Sequence, residues 1–74
     1  MPTLTGAQVR DGRMLLGWTQ RELAMHSKIE FSAVFIFELY GLVSAEELQS
    51  ICKTLEAWGI QIVSGRAVNA TPPG

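Results

Sequence analysis

Apolar residues recur at three- and four-residue spacing through most of the chain, and that period predicts helices. Thr5 followed by Gln8 fits a capping box, in which the hydroxyl accepts a backbone N–H and the glutamine side chain reaches back to the cap. The helix behind it is expected to turn Val9, Met14 and Leu16 toward the core and to leave Arg10 and Arg13 more exposed, with Gly17 ending it. Thr19-Gln20-Arg21-Glu22 repeats the box just before Leu23 and Ala24, so two short helices are expected rather than one long one. The second should end near Ser27 or Lys28, and the small Ala24 would let another helix cross closely.

Residues 30–40 are the ambiguous stretch. Phe31, Val34, Phe35, Ile36, Phe37 and Tyr40 suit a strand by propensity, but they do not alternate with polar residues. The spacing of Val34, Phe37 and Gly41 predicts a helix instead, with an unusually apolar outer face. Ser44 and Glu47 form a third capping box, followed by the stripe Leu48, Ile51, Cys52, Leu55 and Trp58 and a terminating Gly59. Ile60-Gln61-Ile62-Val63 reads as a strand, Ser64-Gly65 as a turn, and Ala67 to Asn69 as a short second strand. A two-stranded hairpin is marginal in water, so it must pack on the helices or pair with another chain. The expected fold is mainly α, compact, with four to five helices and a short C-terminal strand or hairpin. It forms one domain over residues 1–70, with 71–74 as a flexible proline-rich tail.

Composition narrows the function classes. At 74 residues there is chain for one core and no room for a separate substrate domain, so an enzyme is not expected. The 47% hydrophobic and 18% charged residues belong to a globular chain rather than a disordered one. No run reaches the length of a membrane span; the longest nearly apolar run, Phe31 to Val43, is broken by Glu38. Gln8, Arg10, Asp11 and Arg13 occupy the zone where a secretory leader would be apolar, and the lone Cys52 fits a reducing compartment, so a cytoplasmic location is expected. His26 has no second histidine near it and Cys52 is remote in sequence, so neither a metal nor a cofactor is expected. No small-molecule ligand is evident. Cys52 reads as a small buried hydrophobe and Trp18 as a packing anchor.

The run Gly6-Ala7-Gln8-Val9-Arg10, continued by Arg13-Met14-Leu15-Leu16-Gly17-Trp18-Thr19-Gln20-Arg21-Glu22-Leu23-Ala24, resembles the phage-repressor-like (Cro and XRE type) helix-turn-helix family. Glu38 matches an acidic residue often found near the end of that family's recognition helix, and the likeness extends through Leu48, Leu55 and Trp58-Gly59-Ile60. The resemblance covers roughly residues 4 to 63 and implies a transcription regulator that often works as a dimer on duplex DNA. It assigns Gln20 and Arg21 to phosphate contacts and places Glu30, Phe31, Ser32 and Phe35 near base edges in the major groove. The chain departs from the family pattern at Lys28-Ile29-Glu30, where members commonly carry glycine, and in its aromatic third helix.

Charge is divided unevenly. Residues 1–28 carry Arg10, Arg13, Arg21 and Lys28 against Asp11 and Glu22, a net of +2, whereas residues 29–74 sum to -3. Gln20, beside the Thr19 cap, would project a donor at a helix N-terminus, so with the four basic residues the candidate phosphate contacts are Arg10, Arg13, Gln20, Arg21 and Lys28. Each arginine has a structural alternative: Arg10 and Arg13 would solubilise the first helix, and Arg21 would pair locally or with Glu38. Base reading is the weaker half, because residues 30–40 contain no Arg, Lys, Asn or Gln. A different use follows from the same helix. Phe31, Phe35, Ile36, Leu39 and Tyr40 cannot all fit inside so small a core, and exposed apolar surface of this kind marks an interface with a second copy or a partner regulator.

Overall fold

Three of the four helices begin on a capping box, each closed by residues three apart in sequence. In a computed structural model, which describes residues 4–63 and 65–69, they are α1 (Gly6–Leu15), α2 (Gln20–Ser27), α3 (Phe31–Tyr40) and α4 (Ala45–Ala57). They are followed by the antiparallel strands β1 (Ile60–Val63) and β2 (Arg66–Asn69). The Thr5 hydroxyl accepts the Gln8 N–H at 3.2 Å while the Gln8 side chain accepts the Thr5 N–H at 3.0 Å. Thr19 with Glu22 and Ser44 with Glu47 repeat this reciprocal pair at the heads of α2 and α4. The α3 helix starts at Glu30 with no side-chain cap. The stretch that strand propensity made ambiguous is thus helical, and the described residues form four helices, within the expected four to five.

The buried core joins Val9 of α1, Leu23 and Ala24 of α2, Val34 and Phe37 of α3, Ile51 and Leu55 of α4, and Ile60 of β1. The inner face of α1 differs from the expected one. It is built from Gly6, Val9 and Gly12, with Leu16 packed at its end, and Met14 is turned out to 64% exposure. The glycines explain the shift. A Cβ on Gly6 would run into the Phe37 carbonyl oxygen of α3, and one on Gly12 would press on Ile60 Cγ2 at 3.1 Å. Small residues at these two positions let α3 and β1 approach the α1 backbone, and the larger Met14 lies off that face.

The α2–α3 turn is tight. Lys28 takes a left-handed conformation, φ 59° and ψ 42°, the only positive φ outside glycine among the described residues. The Ile29 N–H donates to the Ala24 carbonyl at 3.0 Å, and Ile29 packs on the core. Gly41, at φ 75°, closes α3. The hairpin pairs Ile60 with Asn69 and Ile62 with Ala67, which puts Ile60, Ile62 and Ala67 on the face toward the helices. Gln8 Nε2 donates to the Gly65 carbonyl at 3.1 Å, tying the hairpin turn to α1. The hairpin therefore meets its need for a partner within the chain. Ser64 of the expected turn and the expected tail at 71–74 lie outside the described residues.

Candidate nucleic-acid interface

The polar centre of the molecule is a three-element network around Glu38. Arg13 Nε donates to Glu38 Oε2 at 2.9 Å and Arg13 Nη2 to Oε1 at 3.0 Å. Arg13 Nη1 donates to the Trp18 carbonyl at 2.8 Å, and Gln20 Nε2 donates to Glu38 Oε1 at 3.2 Å. The side chains of Arg13 and Glu38 are only 14% and 5% exposed. Arg13 is thus not the more exposed residue that the pattern of α1 suggested, and it is Arg13, not Arg21, that pairs with Glu38. The bidentate geometry is the strong form of an arginine–carboxylate contact. It fastens α1, the start of α2 and the far end of α3, and it compensates the α3 carboxylate without using any exposed cation.

Arg21 does something else. It is exposed, and its guanidinium carbon sits 4.7 Å from the centroid of the Phe31 ring, within the range of a cation–π contact. This brings the first turn of α2 beside the first turn of α3. Arg10 and Lys28 are also exposed, Lys28 at the turn between the two helices. The base-edge candidates Glu30, Phe31, Ser32 and Phe35 are all at the surface at or near the start of α3. Of the five phosphate candidates, Arg10, Arg21 and Lys28 are exposed cations, Arg21 over the Phe31 ring, while Arg13 and Gln20 are drawn into the Glu38 network.

The outer face of α3 is apolar except at Ser32. Phe31, Phe35, Ile36, Leu39 and Tyr40 are exposed, and Leu42 extends the patch at 66% exposure. The sequence pattern did not single out Leu42; its signal was the continuation of the apolar run past Gly41. Phe31 and Phe35, one helical turn apart, lie with ring centroids 6.2 Å apart and planes tilted by 34°.

A second aromatic group gathers Trp18 of the α1–α2 connection, His26 of α2 and Trp58 at the end of α4. Trp18 stacks on His26 with centroids 4.2 Å apart and an interplanar angle of 8°, and Trp58 meets both rings edge-on at 5.1 and 5.2 Å. Trp18 is half-buried against the core, which is the packing role its sequence position suggested. Trp58, expected on the inner stripe of α4, is 49% exposed at the helix C-cap. Cys52 is half-buried against the core; burial pushes its thiol pKa up, and the Glu56 charge pushes it further the same way. No group of three His, Cys, Asp or Glu among the described residues is placed to hold a metal ion, and no helix among them is long and apolar enough to cross a membrane.

No protein-family model matches the sequence, and no curated protein matches it.

Proposed function

We propose that the chain is a small helix-turn-helix transcriptional regulator that binds duplex DNA as a dimer, with the start of α3 in the major groove. One observation carries the reading: α2 and α3 are joined by a tight turn that leaves the first turns of both helices side by side at the surface, with Arg21 and Lys28 exposed beside them. The resemblance of residues 4 to 63 to the phage-repressor-like family supports it. So does the Arg13–Glu38 pair, which neutralises the carboxylate on the α3 flank before it can repel a polyanion. Exposed Glu30 works against the same field and leaves the electrostatic attraction modest.

Arg10, Arg21 and Lys28 are the phosphate contacts, and a dimer doubles them. The logarithm of affinity should then fall with the logarithm of salt concentration with a slope of about -5. Fluorescence anisotropy of labelled random-sequence duplexes across a sodium chloride series tests this. Arg21→Ala and Lys28→Ala should each weaken binding and, by removing one contact from each subunit of the dimer, reduce the slope by about 2. Failure to retain any duplex at the lowest salt refutes the reading.

A second reading is favoured by the exposure of Leu39 and Tyr40, at 58% and 68%, together with Leu42 beyond the helix end. In it the apolar face of α3 captures another regulatory protein and DNA binding is slight or lost. Leu39→Ser would then dissolve a stable complex seen by native mass measurement while leaving the helical content intact.

A further inference from the structure

We propose that α3 reads DNA through the C5-methyl groups of thymine rather than through hydrogen bonds to base edges; this rests on the DNA-binding reading above. Residues 30–40 hold no Arg, Lys, Asn or Gln, the side chains that recognise bases bidentately. What the first half of the α3 outer face offers instead is a ledge of two rings. Phe31 and Phe35 are both exposed, one turn apart on the same stripe, with centroids 6.2 Å apart.

The ledge is oriented by its own cation. Arg21 lies over the Phe31 ring, 4.7 Å from its centroid, so the charge that meets the sugar–phosphate backbone is held against one face of the first ring. Lys28, at the turn, is a second exposed cation close by in sequence. A polyanion docked on these two charges lays its groove over the rings. In the major groove the one apolar feature a base pair presents is the thymine methyl, whereas guanine and cytosine offer only acceptors or a donor. A phenyl ring set over those polar atoms would strip their water and return no hydrogen bond, which costs about tenfold or more in affinity. Over a thymine methyl the same ring gains apolar burial and leaves nothing unmet. Ser32, between the rings in sequence, contacts either kind of pair and does not alter the preference.

The experiment is selection of bound duplexes from a random-sequence pool at low salt, followed by resynthesis of the enriched duplexes with dU in place of dT. The proposal predicts enriched dT positions and a loss of about fourfold in affinity per contacted methyl removed. It also predicts that Phe35→Ala, an exposed change checked for retained helix by circular dichroism, narrows the dT-to-dU difference, as does Phe31→Ala. Equal binding of the two duplex forms, or enrichment without dT, overturns methyl reading while leaving duplex binding in place. A dT-to-dU difference untouched by both phenylalanine variants overturns the assignment to this ledge. If the pool yields no bound duplex, the DNA-binding reading fails and this one with it.

Discussion

Arg13 and Glu38, from the first and third helices, meet in a two-point contact at 2.9 and 3.0 Å, and the same guanidinium holds the Trp18 carbonyl. Removing one partner would leave a poorly solvated charge with nothing to answer it. Glu38→Ala or Arg13→Ala should each destabilise the domain by about 3 kcal/mol, a large share of what so short a chain can have. Replacing both by apolar residues, Arg13→Met with Glu38→Leu, should recover much of the loss. Urea denaturation of the unaltered protein, the two single variants and the double replacement measures these differences. A single change costing under about 0.5 kcal/mol would mean that solvent screens the pair.

Lys28 carries a left-handed backbone that costs an L-residue about 1–2 kcal/mol and glycine almost nothing. Lys28→Gly should therefore stabilise the fold, by about 0.5–1 kcal/mol once the freer unfolded chain is counted. The same change removes an exposed cation and should weaken duplex binding. Melting temperature and anisotropy should move in opposite directions, and a fall in both would show that the lysine side chain supports the turn.

Ser27 Oγ is buried with no hydrogen-bond partner among the described residues. An unanswered hydroxyl of this kind costs about 1–3 kcal/mol, so Ser27→Ala should raise stability by roughly 1 kcal/mol. Thermal unfolding checks it, and a lower melting temperature would show that the hydroxyl is satisfied in solution.

Cys52 holds its proton more tightly when folded, because burial and then Glu56 disfavour the thiolate. The unfolded chain, with an ordinary thiol, ionises first as pH rises. The folded state therefore keeps its full stability at neutral pH and loses some as pH climbs past the ordinary thiol pKa toward the raised folded one. Cys52→Ser should flatten that alkaline decline. Iodoacetamide should modify Cys52 more slowly in the native protein than in urea, and equal rates would contradict the raised value.

The parts of the fold legible in the sequence were those decided locally. Thr5, Thr19 and Ser44 each find their capping partner three residues on, so the helix starts needed no tertiary information. The helix over 31–40 was readable because the spacing of Val34 and Phe37 outweighed the strand propensity of aromatic residues, and both are buried. The inner face of α1 was not readable, because its contact surface is made of Gly6 and Gly12, which carry no hydrophobic signal. The Arg13–Glu38 pair spans α1 and α3, and sequence alone offered Arg21 as the carboxylate's partner and left Arg13 to solubilise the first helix. Trp58 belonged to the α4 stripe by period, but the helix ends there and its ring turns to Trp18 and His26. At the candidate interface, exposure of the α3 aromatics followed from simple volume. The stacking of Arg21 on Phe31 brings two helices together and required the structure.

Amide chemical-shift mapping by heteronuclear NMR, with a duplex recovered from selection as titrant at low salt, tests the central claim most directly. The account predicts the largest shifts at Arg10, at Gln20 and Arg21, at Lys28, and from Glu30 through Phe35, with α4 left nearly unmoved. A spectrum that does not respond to duplex, or shifts confined to Leu39, Tyr40 and Leu42 when another protein is added, would contradict it.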